Sequence, residues 1–304
     1  MENPVIISVG GGKGGVGKST ITANIGALLV RNKYSVGFID ADLGGANLHL
    51  CLGIRRPPRG LQDYIRGKYK TLSEITVPVS LPRSWLISGA SDIMELANPN
   101  FAQKQKIIRN LARMEADFIL VDLGAGSDNH VTDFYAAFPF GIIVTDGLPT
   151  SIENAYGFLK NGILRGLARL FSGNGEIQNS IRTFSDPQSG KGCATVGELL
   201  EGLARGFPAA VEQMRMWLRQ RRTFLVLNMV KDPEDVKVGE RFVEMVKKYL
   251  SINIYYIGYI IFSPDVRKSI KAMRPLVEYS GDSRVAECFA SVTGNLITLT
   301  KGHT

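Results

Sequence analysis

A glycine-rich segment between a short apolar run and a helical pattern is the feature that most constrains this chain. Residues 10–20 read GGGKGGVGKST and follow the apolar run PVIISV. From Lys18 onward, apolar residues recur at Ile21, Ile25 and Leu28, the spacing typical of a helix. Successive glycines let backbone N–H groups turn inward on an anion, and a helix N-terminus adds partial positive charge. We therefore predict a phosphate-binding loop, with a flexible glycine-rich turn as the alternative.

The same segment contains the pattern G-x-x-x-x-G-K-[ST] of the P-loop, and its strand-then-helix context is the one that the motif requires. In such a loop Lys18 reaches the β- and γ-phosphates of a nucleotide, and the Ser19 hydroxyl is a ligand for Mg²⁺. Thr20 is placed to contact a phosphate as well. The predicted nucleotide-binding residues of the loop are Gly12, Lys13, Gly14, Gly15, Val16, Gly17, Lys18, Ser19 and Thr20.

Short apolar runs alternate with longer helical patterns along the chain. Because these runs are continuous, they are typical of strands buried on both faces of a parallel sheet. We predict an α/β fold, with a doubly wound, mostly parallel sheet. The predicted strands cover residues 4–9, 36–39, 118–121, 142–144, 224–230 and 256–261.

A stretch of about fifty residues with no convincing strand interrupts this rhythm. It begins with Gly/Ser/Asn-rich sequence, SGNGEIQNS and then SDPQSGKG, which we interpret as a loop. Thr195 and Glu198 have the spacing of a capping box for a helix through Leu203, and Pro208 suits the first turn of another helix. We therefore predict a domain at residues 1–280 with a helical insertion at about 172–222, followed by an amphipathic helix and tail at 281–304.

Composition excludes several classes of protein. The 304 residues are 44% hydrophobic and 21% charged, which is ordinary globular usage rather than that of a disordered or coiled-coil chain. No apolar run approaches the roughly 18 residues of a membrane span, and the first residues do not resemble a signal peptide. The three cysteines, Cys51, Cys193 and Cys288, suit a reducing compartment and form neither a disulfide framework nor a zinc site. We expect a cytoplasmic protein.

Lys13 adds a second lysine inside the loop, so that the segment reads KGGVGKST. Here the sequence resembles the deviant P-loop class of the MinD/ParA family. The resemblance implies the fold of the SIMIBI-type P-loop NTPases, with ATP or ADP and Mg²⁺ in the site. It also implies a homodimer in the ATP-bound state, in which Lys13 crosses the interface to the nucleotide of the partner. A solvated loop charge is the simpler role for Lys13.

Two downstream segments extend the resemblance. Residues 38–47 (FIDADLGGAN) match the family's switch I, which makes Asp42 the carboxylate that positions the attacking water and Asp40 its partner on the metal side. Residues 118–126 (FILVDLGAG) match a Walker B strand, which places Asp122 on Mg²⁺ through water. Lys13, Lys18 and Asp42 are thus the implied catalytic residues, and Ser19, Asp40 and Asp122 the implied metal site. A turn-forming aspartate pair is the alternative for Asp40 and Asp42.

Asn228 in the strand LVLNMV matches the asparagine that contacts the adenine base in this family. Its alternative role is to satisfy backbone groups at the end of a strand. Ser263, Pro264 and Asp265 resemble the next loop of the nucleotide pocket, and a helix N-cap with proline at the first helical position explains them equally well.

Within the family, DLGGANLHLCLG is most similar to flagellar-number regulators of the FlhG/FleN type. The resemblance implies a Mg-ATP-dependent dimerising ATPase switch that hydrolyses ATP to ADP and phosphate. Its output would be spatial: flagellar number or placement, division-site choice or cargo positioning, with an unidentified activating protein. The insertion and the short sequence before the first strand depart from those regulators. The alternatives are a metabolic enzyme, such as a cobyrinate-type amidoligase or a reductase, and an ATP-binding adaptor without turnover.

Two features concern larger partners. Residues 283–299 carry an apolar stripe with few cations, which favours packing on the domain; weak contact with the inner face of the cell membrane is the alternative. Part of the net charge of +8 concentrates at residues 55–70 and in the insertion. These basic segments are candidate surfaces for nonspecific DNA binding or an acidic partner, although solvated surface charge is the more common role.

Overall fold

A computed structural model describes residues 3–89, 99–185 and 195–302. In this part of the chain, eight strands form one sheet in the order β3-β4-β2-β5-β1-β6-β7-β8, and every neighbouring pair is parallel except β3 and β4. The strands are β1 Val5–Gly10, β2 Val36–Asp40, β3 Val77–Pro78, β4 Ser84–Ile87, β5 Phe118–Asp122, β6 Phe140–Thr145, β7 Arg222–Val230 and β8 Asn253–Ile261. The α/β fold with a mostly parallel sheet is confirmed, and β3 and β4 are additions to the predicted strands.

Helices cover both faces of the sheet and bury two separate apolar layers against it. One layer includes residues of α4, α5, α6 and α10, and the other includes residues of α1, α12 and α13. The helices are α1 Lys18–Arg31, α2 Leu48–Cys51, α3 Leu61–Ile65, α4 Phe101–Leu111, α5 Asn129–Ala137, α6 Pro149–Leu170, α7 Gly175–Ser185, α8 Val196–Ala204, α9 Pro208–Gln220, α10 Pro233–Leu250, α11 Pro264–Lys271, α12 Leu276–Tyr279 and α13 Arg284–Lys301.

The described residues between α6 and β7 include three helices, α7, α8 and α9. The Thr195 side chain accepts a hydrogen bond from the Glu198 N–H at 3.1 Å, and Pro208 begins α9, as predicted. The loop predicted from residue 172 is wrong over α7, because Ile177, Ile181 and Phe184 recur at helical spacing and are buried. Residues 172 and 173 form a turn before α7. Residues 186–192 of the predicted loop, and Cys193 after them, lie outside the described residues.

The basic residues near the insertion are not one exposed surface. Arg221 is buried and donates to the backbone oxygens of Tyr135 at 2.8 Å and Ala136 at 3.2 Å, at the end of α5. Arg222 donates to the Leu299 oxygen at 2.7 Å. The prediction that this segment presents its charge to a partner is therefore wrong for these two residues, since their guanidinium groups satisfy backbone oxygens of the domain.

The second basic segment, residues 55–70, is also partly engaged. Arg59 donates to the Thr76 oxygen at 2.7 Å, and Lys68 pairs with Asp63 at 3.3 Å. Arg66 and Lys70 are exposed. DNA binding through this segment stays a prediction. Arg59 and Lys68 already have partners within the protein, so fewer cations are available to DNA than the sequence of the segment contains.

The apolar stripe of α13 faces the protein. Val285, Phe289, Val292 and Leu296 are each at most 2% exposed, and α13 packs on α1 and β8. The packing interpretation is confirmed. Membrane contact through residues 283–299 stays a prediction, and it would require buried side chains of α13 to leave the core. No helix in the described ranges is long and apolar enough to cross a membrane.

Candidate nucleotide-binding site

The glycine-rich loop runs from the carboxyl end of β1 to the start of α1 in a backbone that requires glycine. Gly12, Gly15 and Gly17 have φ angles of 72°, 81° and 95°, in the left-handed region that other residues rarely adopt. A Cβ on Gly17 would also lie 2.3 Å from the Asn228 side-chain nitrogen. Two independent constraints therefore exclude a side chain at Gly17, whereas a Cβ on Gly14 would meet only the Ala125 methyl at 3.6 Å.

Asn228, on β7, is hydrogen-bonded to the glycine-rich loop. Its Nδ2 donates to the Val16 oxygen at 2.8 Å, and the residue is 7% exposed. A buried carbonyl of the phosphate-binding loop is thereby satisfied. This contact agrees with the alternative role that the sequence left open for Asn228, and its contact with adenine stays a prediction.

The two lysines of the loop occupy different surroundings. Lys18 is 8% exposed and its Nζ donates to the Lys13 oxygen at 3.2 Å. Burial lowers the pKa of Lys18, while the charges of Asp122 and Asp42 oppose that shift. Lys13 extends in another direction, where its Nζ donates to Ser151 Oγ at 3.0 Å and Thr150 Oγ1 at 3.3 Å. In this structure Lys13 is thus bound to the first turn of α6 in its own chain.

Two carboxyl groups meet at the carboxyl edge of the sheet. Asp40 ends β2 and Asp122 ends β5, and the two residues are register partners. Asp40 accepts hydrogen bonds from the backbone N–H groups of Asp42 at 3.1 Å and Leu48 at 3.0 Å, so it also fixes the start of α2. Asp40 and Asp122 are 0% and 2% exposed, and the sheet register brings them together although they are far apart in sequence.

Burial changes the protonation of this pair. It raises the pKa of Asp40 well above its ordinary range, and the charge of Asp122 adds to that rise. Burial also raises the pKa of Asp122 to about 7, although the Ser19 hydroxyl and the Lys18 charge favour its ionised form. Two buried carboxylates with one buried lysine are short of positive charge. The site is therefore suited to an additional cation.

The donor set fits a magnesium ion held together with nucleotide phosphates. Asp122 Oδ1 is buried and has no hydrogen-bond partner among the described residues, and the Ser19 hydroxyl is close to the same carboxyl group. The described residues contain no cluster of three His, Cys, Asp or Glu side chains that could hold a metal alone. Mg²⁺ commonly takes one or two protein oxygens and completes its shell with phosphate and water.

Asp42 lies above this pair, at the mouth of the site. Its Oδ1 accepts the Gly45 N–H at 2.9 Å, and a Cβ on Gly124 would lie 3.3 Å from the Asp42 carboxyl group. The Asp42 side chain therefore reaches the loop that follows β5. That loop is tied to the phosphate-binding loop, because the Gly126 N–H donates to the Gly12 oxygen at 2.7 Å.

Asp42 also lines a cavity of about 180 Å³ that the sequence did not predict. The cavity wall includes Ala125, Asp128 and His130, and the His130 Nδ1 is buried without a partner in the described part of the chain. Asp128 accepts the backbone N–H groups of His130 at 2.8 Å and Val131 at 3.0 Å, which caps α5. No pattern in the sequence around His130 indicates that its side chain lines this cavity.

Ser263, Pro264 and Asp265 form a helix cap after β8, the last strand in the sheet order. The Asp265 N–H donates to Ser263 Oγ at 3.2 Å, Pro264 is the first residue of α11, and Asp265 pairs with Lys268 at 2.9 Å. These contacts agree with the capping alternative. The structure thus brings the glycine-rich loop together with Asp40, Asp42, Asp122 and Asn228, while nucleotide contact by Pro264 and Asp265 stays a prediction.

This fold and loop define a P-loop nucleotide-binding domain, and comparison with known families agrees. The model of the CobQ/CobB/MinD/ParA nucleotide binding domain matches residues 7–276. The match covers most of the chain, so the protein belongs to this family. The resemblance drawn from the loop and its two downstream segments is confirmed.

Individual relatives include flagellar and septum proteins. The chain is 34% identical over 160 residues to the flagellum site-determining protein YlxH of Helicobacter pylori, covering 52% of this chain and 53% of that protein. It is 25% identical over 294 residues to the antiactivator FleN of Pseudomonas aeruginosa, covering 96% and 86%. The match to YlxH thus spans about half of that relative's length.

Solved structures share the fold at lower identity. The septum site-determining protein MinD of Pyrococcus horikoshii, complexed with Mg-ADP, has a TM-score of 0.65 at 20% identity, with 97% of this chain and 96% of that chain covered. A complex of a Cyanothece McdA variant with ATP has a TM-score of 0.63 at 14% identity, with 100% and 98% covered. These likenesses extend the fold assignment over the whole described chain.

Proposed function

We propose that this protein is a Mg-ATP-dependent ATPase switch of the MinD/ParA type, which dimerises with ATP and separates after hydrolysis to ADP and phosphate. The observation that carries the proposal is the buried pair Asp40 and Asp122 beneath Lys18, at the sheet edge where the glycine-rich loop begins. A carboxylate pair that lacks positive charge, next to a loop built for phosphate, is the arrangement that binding of Mg-ATP completes.

Each side chain has a distinct part in this proposal. The loop backbone and Lys18 bind the β- and γ-phosphates, and Lys18 stabilises charge on the transferring phosphoryl group. Ser19 and Asp122 would hold Mg²⁺, with Asp40 behind them, and a bound Mg²⁺ neutralises phosphate charge. Asp42 is half-exposed at the mouth of the site, where it accepts a hydrogen bond from the attacking water and orients it.

Dimerisation requires Lys13 to change partners. Its bonds to Ser151 and Thr150 hold it against α6 in its own chain. In the proposed ATP-bound dimer Lys13 instead contacts the nucleotide of the partner subunit. The gain from a charge-assisted contact with phosphate exceeds that of two hydroxyl contacts near the surface, so ATP drives the exchange.

The proposed output is spatial regulation. FleN is an antiactivator and YlxH a flagellum site-determining protein, and other relatives are septum site-determining proteins. Similarity to FleN extends over 96% of this chain, which favours a regulatory switch over the metabolic enzymes that share the family. We propose control of flagellar number or placement, with an unidentified protein that stimulates hydrolysis.

Phosphate release from ATP in the presence of Mg²⁺ tests the proposal. Lys18→Ala should abolish release and nucleotide binding, because it removes the buried cation of the loop. Lys237→Ala, on the exposed surface of α10, is the matched control and should retain both. Release that persists in Lys18→Ala, or is absent from the unaltered protein under all tested conditions, would contradict the proposed activity.

A further inference from the structure

A second cavity, of about 410 Å³, lies between α5, α6 and α7, away from the residues proposed to bind the nucleotide. We refer to it as the α5–α7 cavity. Helix α7 belongs to the predicted helical insertion, so one wall of the cavity comes from outside the alternating strands and helices of the domain. The volume is within the range of about 300–1,000 Å³ of small-molecule sites. Its polar lining includes Asn129, Thr132, Asn161, Arg165, Gln178 and Arg182.

The cavity has a surplus of positive charge. Arg165 and Arg182 line it, and none of its ten lining residues is Asp or Glu. Behind Arg165, the buried Asp133 carboxylate is in salt bridges with Lys104, Arg165 and Arg169, so three cations share one anion. Burial and the charge of Arg165 lower the pKa of Arg169 although Asp133 opposes them. An anion in the cavity would relieve this repulsion.

The donors in the cavity are held in place and only partly used. Arg165 bonds to Asp133 through Nε at 2.8 Å, which leaves its two terminal nitrogens without a described protein partner. Gln178 Nε2 donates to the Phe171 oxygen at 3.1 Å and to the Ala168 oxygen, which fixes α7 against the end of α6. Arg182 bonds to Asn179 at 2.7 Å and is otherwise exposed. Two guanidinium groups on facing walls suit a tetrahedral oxyanion, which arginine binds in a bidentate manner.

We propose that the α5–α7 cavity binds a phosphate group, either as free phosphate or on a small molecule. Arg165 and Arg182 neutralise its charge, while the side-chain amides of Asn129 and Asn161 supply further hydrogen bonds. The cavity is also connected to the nucleotide loop from two directions. Ser127 lines the cavity one residue after Gly126, which bonds to Gly12. Helix α6 carries both Arg165 and the Lys13 contact at Ser151.

Binding in the cavity is therefore coupled to the nucleotide site. A ligand that draws α5 and α6 together changes the position of the loop after β5 and of the α6 residues that hold Lys13. Such coupling is reciprocal, so a phosphate ligand and the nucleotide alter the affinity of each other by the same factor. This coupling rests on the proposed nucleotide binding, whereas binding of phosphate in the cavity does not.

The first test is calorimetric titration of inorganic phosphate into Lys18→Ala protein, in which the glycine-rich loop no longer competes for phosphate. We expect saturable binding with one site per chain, weakened at least tenfold by Arg182→Gln and partly restored by Arg182→Lys. Arg215→Gln is the matched control, because Arg215 is an exposed arginine on α9 that does not line the cavity. Absence of saturable binding, or equal weakening by Arg182→Gln and Arg215→Gln, would overturn the proposal.

Two further experiments distinguish free phosphate from a phosphorylated small molecule and test the coupling to the nucleotide site. Glycerol 3-phosphate that binds as tightly as phosphate or more tightly identifies a phosphorylated small molecule as the ligand, and weaker binding identifies free phosphate. In protein with Lys18 intact, a saturating amount of the better ligand should change the affinity for ADP at least twofold, and Arg182→Gln should remove that change. An unchanged ADP affinity would overturn the coupling, and failure of ADP to bind at all would instead contradict the proposed function.

Discussion

Asp40 and Asp122 lie opposite each other at the carboxyl ends of neighbouring parallel strands, and both carboxyl groups are buried. The buried Lys18 interacts with Asp122 and supplies positive charge to this pair. The protein therefore keeps an electrostatic imbalance at the point where nucleotide and metal are proposed to bind. Without a ligand this imbalance lowers the stability of the folded protein.

The stability of the nucleotide-free protein should fall as pH rises. A carboxyl group whose pKa is higher in the folded state favours folding while it is protonated, and that advantage is lost between its unfolded and folded pKa values. For Asp122 these values are 3.8 and about 7. At about 1.4 kcal/mol per pKa unit the loss is on the order of 4 kcal/mol. Urea unfolding in the absence of nucleotide at several pH values between 4 and 8 measures it.

Asp122→Asn should remove most of this pH dependence. The variant should match the unaltered protein near pH 4 and be more stable at pH 8, because no buried charge then forms at residue 122. Asp282→Asn, at an exposed position before α13, is the matched control and should leave the pH profile unchanged. A steep loss of stability above pH 5 that Asp122→Asn does not reduce would show that the carboxyl pair is not its source.

Gly17→Ala and Gly14→Ala should differ sharply although both lie in the same loop. Gly17 has a left-handed φ of 95° and no room for a Cβ beside the Asn228 amide. We expect Gly17→Ala to lower stability by about 1–3 kcal/mol and to prevent nucleotide binding, because backbone strain and displacement of Asn228 add. Gly14→Ala should fold normally. Thermal unfolding and binding of a fluorescent ADP analogue compare the two, and equal effects would contradict the constraint.

Phe289→Ala should destabilise the fold by about 3–5 kcal/mol, because it empties a core position on α13. Ile297→Ala, only partly buried on the same helix, should cost less. Flotation with anionic liposomes should give the same result for the unaltered protein and for a variant in which apolar side chains of this stripe are replaced. Binding to liposomes that depends on the stripe would mean that α13 leaves the domain.

Lys13 and Ser151 provide a matched pair for the proposed dimer. Lys13→Ala should retain ADP binding and lose the ATP-dependent dimer. Ser151→Ala should raise the dimer fraction at a given ATP concentration, because it weakens the competing contact of Lys13 with α6. Light scattering after size exclusion measures both. A dimer fraction that is unchanged in Lys13→Ala would contradict the proposal that Lys13 leaves α6 to contact the partner's nucleotide.

The sequence predicted those features that interactions between neighbouring residues determine. The glycine-rich loop, the strands that end at Asp40 and Asp122, and the Thr195 cap each depend on neighbouring residues alone. The short strand β4 was not predicted, since four residues after a proline and an arginine lack a strand-length pattern. Helix α7 was missed because glycine, serine and asparagine at its start suggested a loop, although its apolar residues have helical spacing.

Other features depended on contacts between distant residues. Pairing of Asp40 with Asp122 follows from strand order, and the burial of Arg221 follows from the position of the end of α5. The contact of Lys13 with Ser151 joins residues 138 positions apart. No periodicity or motif contains such information, because it arises only when the sheet and its covering helices have assembled.

The most direct test of the proposed switch is the oligomeric state of Asp42→Ala in ATP and Mg²⁺, measured by light scattering after size exclusion. Removal of the carboxylate that orients water should leave nucleotide binding intact and slow hydrolysis by at least a hundredfold, so the variant should persist as a dimer. The unaltered protein should return to monomer as ATP is consumed. A monomeric Asp42→Ala protein with ATP bound, or one that hydrolyses ATP at the unaltered rate, would contradict the account.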